Sequence, residues 1–260
     1  MEYALLQKEN RGDAVVAMMT MRYGTPKSLL GKNSAAEFAA MMMDKGTSNM
    51  SRQEIKDKLD ALEARVSVNG GLTSTTVRIE TTNDKLGEVV DLVADMLKDS
   101  AFDENEFSKL KEEQLSYIEE SLSDPQSLAG QKFGKLLSPY PKTDVRYQRT
   151  MEEEIEDIKA LTLDEVKDFY NKYYGTSEAT VTVVGDFDED MIREKIEGEF
   201  GDWKNTASYE RIAYPHTATK AADEEINTPD KANSMFLAGM TLPVGDGHDD
   251  YAALMIGNYM

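Results

Sequence analysis

Strand-like and helix-like periodicities alternate along this chain, and their order restricts the folds that it can adopt. Residues 14–23 form an apolar run of strand length, and residues 75–81 alternate between polar and apolar or hydroxyl side chains, as half-buried strands do. Residues 86–97 carry apolar side chains at helical spacing, and a further strand is expected at 179–184. Strands separated by helices in this way predict an α+β fold, a two-layer sandwich with a mostly antiparallel sheet and helices on one face.

Short capping and turn motifs mark where several elements begin. Ser51 with Glu54, and Thr162 with Glu165, have the spacing of a capping box, in which each side chain bonds the other residue's backbone N–H. Residues 69–71 (NGG) are typical of a tight hairpin turn. These motifs predict helices after residues 51 and 162 and a β-hairpin around residue 70.

Other boundaries rest on single residues. Asn33 or Ser34 is expected to cap a short helix that runs through Met43. Asp124-Pro125 is expected to break the helix that precedes it, because proline cannot continue a helix. Residues 152–158 predict a short acidic helix.

Composition predicts three segments along the chain. Residues 206–231 are polar and of mixed charge and are expected to form a linker after a domain that occupies residues 1–205. Residues 232–260 are expected to begin a second, similar domain, with a strand at 234–242, a Gly/Asp-rich loop and a helix. We therefore interpret the sequence as a piece of a longer protein, cut at both ends.

Charge and cysteine content exclude several classes of protein. The chain has 260 residues, of which 29 are basic and 49 acidic, which gives a net charge of −20. Such a surface repels nucleic acids and anionic membranes, and no apolar run reaches the roughly 18 residues that a membrane span requires. The chain has no cysteine, so disulfides, thiolate zinc sites and cysteine nucleophiles are excluded.

Few residues offer independent catalytic chemistry. The two histidines are His216, in the predicted linker, and His248, within Asp246-Gly247-His248-Asp249-Asp250. Aspartate and histidine can bind zinc or manganese, but this composition is also that of a solvated turn before a helix, and we interpret it as a turn. The sequence contains neither a G-x-S-x-G nucleophile motif nor a phosphate-binding glycine loop.

One segment resembles a known family. Residues 31–47 (GKNSAAEFAAMMMDKGT) are similar to the signature helix, and the Lys-Gly-Thr that follows it, of insulinase/pitrilysin-type zinc peptidases, a group that includes the mitochondrial processing peptidase. The resemblance covers residues 3–204, and residues 232–260 resemble the opening of the next domain. Further matches are Arg22-Tyr23-Gly24, Ser51-Arg52-Gln53-Glu54, Asp124-Pro125, Val183-Val184-Gly185-Asp186-Phe187-Asp188 and Phe200-Gly201-Asp202-Trp203.

The resemblance implies a degenerate metal site on this first helix. Active members carry H-x-x-E-H there, with two zinc-binding histidines and a glutamate that activates water. Aligned on residues 45–47, the three positions are Glu37, Ala40 and Met41. The chain therefore lacks both histidines and the water-activating acid, and we predict no catalytic, cofactor-binding or metal-binding residue in it.

The family's third zinc ligand is a glutamate some seventy residues further on, which corresponds to Tyr117 here. Glu119 and Glu120 follow closely, so a small shift in register would preserve this one ligand. The arginine and tyrosine that assist catalysis in many members would lie beyond Met260. Zinc is accordingly expected in an active partner domain rather than in this chain.

The resemblance implies that the chain is a non-catalytic domain of a bacterial zinc metalloendopeptidase. Such a domain forms one wall of a clamshell chamber around a peptide, opposite an active half in the same chain or in a paired subunit. Exported members suggest the periplasm, with the cytoplasm as the alternative. Two other functions stay open: a scaffold module of the same fold without a protease role, and a metal-dependent hydrolase that uses residues 246–250.

Overall fold

The computed structural model describes residues 1–259, and its centre is a five-stranded sheet with the strand order β1-β5-β2-β4-β3. β1 and β5 are parallel, whereas the β2–β4, β2–β5 and β3–β4 pairs are antiparallel. The predicted, mostly antiparallel sheet is confirmed. The strands are β1 Glu2–Gln7, β2 Ala14–Arg22, β3 Arg65–Gly70, β4 Ser74–Thr82 and β5 Ala179–Gly185.

Helices pack on one face of the sheet and against one another. α2 packs on α8 and on β3, and α4 packs on β2, β4 and α9. The helices are α1 Pro26–Leu29, α2 Asn33–Met42, α3 Arg52–Ala61, α4 Asn83–Lys98, α5 Glu104–Ser121, α6 Pro125–Leu137, α7 Met151–Ala160, α8 Leu163–Tyr173, α9 Glu189–Phe200 and α10 Tyr251–Tyr259.

The two faces of the sheet differ in burial. Alternate residues of the three central strands are buried, and the residues between them are half-exposed or exposed. The buried positions are Val15, Ala17, Met19 and Met21 in β2, Thr75, Val77, Ile79 and Thr81 in β4, and Ala179, Val181 and Val183 in β5. Because side chains alternate between the faces of a strand, all these positions lie on one face, which confirms the two-layer arrangement.

Both predicted capping boxes are present. The Ser51 N–H donates to Glu54 Oε2 at 2.7 Å, and the Glu54 N–H donates to Ser51 Oγ at 3.3 Å. Thr162 and Glu165 form the same reciprocal pair at 2.9 and 3.3 Å. Each pair satisfies two N–H groups that a helix end leaves without a helical partner, so α3 and α8 begin where the sequence predicted.

One predicted helix cap is wrong, and one predicted helix break is confirmed but is also the start of a further helix. α2 begins at Asn33 itself and its capping position is Lys32, whose side chain makes no capping hydrogen bond, so neither Asn33 nor Ser34 occupies the capping position. Asp124-Pro125 does not only end a helix: Asp124 accepts a hydrogen bond from Ser127 N–H at 2.8 Å and begins α6 with Pro125 in the first turn. Proline fits there because the first helical N–H groups have no helical partner.

The chain divides into two compact units. One unit contains residues 1–117 and 152–212 and holds the sheet; the other contains residues 118–151 and the chain from residue 213 onward. In the second unit, Lys132 of α6 forms an ion pair with Glu224 at 3.3 Å.

The strand predicted at 234–242 is absent, although the helix after it is present as α10. A strand needs the edge of another strand as a hydrogen-bonding partner, and the second unit has no strand in its described part. Met260, the last residue of the predicted domain start, lies outside the described residues. Within residues 1–259, no helix has both the length and the apolar character needed to cross a bilayer.

Candidate functional site

The helix with the degenerate motif, α2, owes its close packing to small residues. Ala35, Ala36, Ala39 and Ala40 are all at most 5 % exposed, and alanine is the strongest helix former among the residues. Small side chains let neighbouring backbone approach closely. Helix α2 is therefore a core element of the first unit, packed between α8 and β3.

The motif positions divide between the core and the half-exposed side of α2. Glu37 and Met41, one turn apart, are partly accessible, whereas Ala40 is 2 % exposed. These positions supply a carboxylate, a methyl group and a thioether. Zinc prefers imidazole, thiolate and carboxylate ligands, so Glu37 is the one suitable ligand among the three, and the residues present do not fit a catalytic zinc ion.

Strand β3 packs directly against Ala40 at Gly70. A Cβ atom added to Gly70 would lie 2.2 Å from the Ala40 Cβ and 2.9 Å from Thr75 Oγ1. Contacts that short do not occur between real side chains. A residue larger than glycine at position 70, or larger than alanine at position 40, would therefore have no room. A glutamate at position 40 would have to enter this packed contact.

Next to this contact lies a buried chain of hydroxyl groups. Thr75 Oγ1 donates to Tyr174 Oη at 2.8 Å, and Tyr23 Oη lies 2.9 Å from Thr75 Oγ1 and 3.0 Å from the Gly71 carbonyl oxygen. Burial raises the pKa of Tyr23 to about 12 and the pKa of Tyr174 well above its usual value. These groups are neutral at physiological pH and serve to hold the hairpin turn.

Aromatic rings fill the remaining space. The rings of Tyr23 and Tyr174 stack with centroids 5.8 Å apart, and Phe169 meets Tyr23 edge-on at 5.7 Å. Tyr173 is also buried, and its hydroxyl donates to the Ser28 carbonyl oxygen at 2.8 Å. The first unit thus has a packed aromatic cluster beside the contact between Gly70 and Ala40.

Tyr117, at the position of the family's third zinc ligand, lies on helix α5. Tyr117 is 68 % exposed on α5, and Glu119 and Glu120 are exposed on the same helix. Among residues 1–259 no three histidine, aspartate or glutamate side chains lie close enough together to hold a metal ion.

The loop with His248 has the geometry of a turn. His248 Nδ1 accepts a hydrogen bond from the Asp250 N–H at 3.1 Å, and the Tyr251 N–H donates to the His248 carbonyl oxygen at 2.9 Å. These bonds lead the chain into α10. One ring nitrogen of His248 is thus already used by the backbone.

Comparison with known proteins places the chain in a family. Residues 11–133 match the family model described as insulinase (peptidase family M16), and residues 160–260 match the model of the peptidase M16 inactive domain. The chain belongs to the insulinase family. The resemblance found on residues 31–47 is confirmed by these two matches.

Individual insulinase-family relatives are distant. The chain is 22 % identical to an uncharacterised zinc protease, YmxG, of Bacillus subtilis, over 91 % of the chain and 55 % of the relative. It is 21 % identical to the mitochondrial-processing peptidase subunit beta of Caenorhabditis elegans, over 87 % of the chain and 48 % of that protein. The chain thus spans about half the length of the curated relatives that it matches.

Solved structures of the insulinase family share its fold. The peptidase M16 inactive domain from Pseudomonas fluorescens superposes with a TM-score of 0.64 at 16 % identity, covering 82 % of this chain and 51 % of that one. The first half of the periplasmic protease PqqL from Escherichia coli gives 0.67 at 16 % identity, covering 83 % and 47 %. At these identities the likeness establishes the fold, and the site must be judged from this chain's own residues.

Sequence reasoning did not find the contacts that leave no space at Ala40. It did not predict the hydrogen bonds of Tyr174 and Tyr23, nor the contact of Gly70 with Ala40. The only signal was two small residues, Ala40 and Gly70, in elements that the fold brings together.

Proposed function

We propose that this chain is the non-catalytic half of a zinc metalloendopeptidase, and that it supports proteolysis by a separate, active insulinase-family half. The active half lies in the same protein or in a paired subunit, and it holds the zinc ion. The match to the family's inactive domain and the half-length coverage of curated zinc proteases support this assignment.

A single observation carries the proposal: at Ala40, where active members have their water-activating glutamate, a methyl group is packed against Gly70. No carboxylate can accept a proton from water at that position. The fold is retained while the residues that perform hydrolysis are replaced. Such a domain can still provide shape and binding surface, and we infer that it forms one wall of the chamber that encloses the peptide.

The test is reconstitution. The chain alone, with zinc and a fluorogenic peptide, is expected to show no turnover above buffer. Addition of an insulinase-family half from the same genome that carries H-x-x-E-H is expected to raise turnover well above that of the active half alone. If the two halves associate and turnover does not rise, the scaffold alternative is correct and the proposed role in proteolysis is wrong.

We also infer a periplasmic location. The support is the fold shared with the periplasmic protease PqqL of Escherichia coli. Fractionation of cells that express the full-length gene tests this inference, because recovery of the protein with cytoplasmic markers would contradict it.

A further inference from the structure

On the sheet face opposite the helices, the side chains of the central strand β2 change from apolar at one end to charged at the other. On β2 this face carries Val16, Met18, Thr20 and Arg22, all of which are half-exposed. Apolar side chains therefore occupy one end, a hydroxyl lies in the middle, and a cation stands at the other end. Such a gradient provides an apolar and a charged contact on one rigid surface.

Arg22 lacks a carboxylate partner on this face. Its Nη1 donates to Thr180 Oγ1 at 2.8 Å, and no aspartate or glutamate within residues 1–259 forms an ion pair with its guanidinium group. The Arg22 N–H donates to the Glu178 carbonyl oxygen at 3.1 Å, so Glu178 lies directly across on the neighbouring chain segment, yet its side chain does not pair with Arg22. Most of the donors of this guanidinium group are available to a ligand.

The other arginine on this face of the central strands is already neutralised. Arg78 on β4 forms an ion pair with Glu80 at 2.8 Å and a second bond from Nε to the same carboxylate at 2.9 Å. Its Nη1 also contacts Met18 Sδ at 3.9 Å. Arg78 and Arg22 thus share a surface and differ in whether an acidic partner is present.

A row of three threonines, Thr76, Thr20 and Thr180, crosses the central strands two residues from Arg22 on β2. Thr20 Oγ1 and Thr76 Oγ1 lie 3.0 Å apart on adjacent strands, and Thr180 is the residue bonded to Arg22. A guanidinium group binds a carboxylate through parallel N–H···O bonds, and neighbouring hydroxyls can donate to the same oxygens. The local chemistry therefore favours an acidic group, although the net charge of the whole chain is −20.

We propose that this sheet face binds an extended peptide that places an acidic side chain on Arg22 and an apolar side chain over Met18. Arg22 and Met18 are four positions apart and therefore about 13 Å apart along the strand, the distance that four positions of an extended peptide also span. The recognised pattern is an acidic and an apolar residue four positions apart. This inference deepens the proposed function, since it names the peptides that the chamber wall contacts.

The experiment measures binding of fluorescein-labelled peptides to the whole chain by anisotropy, without any active half. The peptides are blocked at both ends, are rich in β-branched residues, and differ only in carrying Asp or Asn four positions from a leucine. The Asp peptide is expected to bind about tenfold more tightly than the Asn peptide, the gain typical of a hydrogen bond to a charged group. Moving the Asp by one position is expected to remove the gain, because neighbouring side chains of an extended peptide point in opposite directions.

Matched variants locate the contact. Arg22→Gln is expected to abolish the preference for Asp, Arg78→Gln to leave it unchanged, and Glu178→Gln to increase it by removing a nearby negative charge. Equal binding of the Asp and Asn peptides to the unmodified chain overturns the proposal without any variant. Loss of the preference in Arg78→Gln as well would equally overturn it, because the effect would then not belong to Arg22. Since no active half is present, these results do not depend on the reconstitution of proteolysis.

Discussion

Gly70 brings the hairpin backbone into contact with helix α2, and this contact can be tested at the scale of one residue. Gly70→Ala would place a methyl group 2.2 Å from the Ala40 Cβ, so we expect it to lower the free energy of unfolding by about 2 kcal/mol, the typical cost of overpacking. Urea denaturation measures the change. The control is Gly87→Ala in α4, where an added Cβ meets nothing within 4 Å and better helix propensity should stabilise the chain by up to about 1 kcal/mol. Equal stability of Gly70→Ala and the unmodified chain would show that the contact is loose.

The buried tyrosines predict a loss of stability in alkali. Tyr23 has a folded-state pKa of about 12 because it is buried, whereas an unfolded tyrosine titrates near 10. Between these values the unfolded chain loses its proton first, so the contribution of Tyr23 is fully present below about pH 10 and is lost as the pH rises toward 12. The difference in Tm between pH 9 and pH 11 is expected to be smaller in Tyr23→Phe than in the unmodified chain. An unchanged difference would assign the alkaline loss to other groups.

At the scale of elements, α8 depends on its capping box. Thr162→Ala removes the hydroxyl that accepts the Glu165 N–H, and a cap of this kind contributes about 1 kcal/mol. We expect this loss in chemical denaturation, together with weaker packing of the buried Val166 and Phe169. Ser116→Ala, at an exposed position inside α5, is the control and should change stability by no more than about 0.5 kcal/mol. A cost no larger than that of Ser116→Ala would mean that tertiary packing alone fixes the start of α8.

Elements that carry their own signals could be predicted from the sequence, and elements that need a partner could not. Ser51 with Glu54 marks a helix start within four residues, and the alternation in 75–81 marks a strand with one buried face. Residues 234–242 (SMFLAGMTL) are a mostly apolar run of strand length, yet a strand forms only where another strand offers its edge. The break predicted at Asp124-Pro125 is confirmed, because α5 ends at Ser121, but the same pair also begins α6, which the sequence did not predict. A local motif that ends one helix does not tell whether another helix follows.

At the scale of the whole molecule, the sequence showed which motif residues are missing but not what replaced them. The substitutions at Glu37, Ala40 and Met41 are visible as soon as the chain is aligned on residues 45–47. The packing around the contact between Gly70 and Ala40 also involves Tyr23 and Tyr174, which come from separate segments. Only the fold brings these segments together, so no periodicity or spacing could reveal them.

Because Ala40 is packed against Gly70, restoring the motif residues should not restore the metal site. We expect the triple variant Glu37→His, Ala40→Glu and Met41→His to lose about 3 kcal/mol of stability, since a carboxylate at buried position 40 has neither space nor a cationic partner. The double variant Glu37→His, Met41→His leaves Ala40 intact and changes only half-exposed positions, so it should stay within about 1 kcal/mol of the unmodified chain. Thermal unfolding with and without zinc, together with calorimetric titration, compares the two. A triple variant that keeps its stability and binds one zinc ion at micromolar affinity would show that the space at Ala40 is still available.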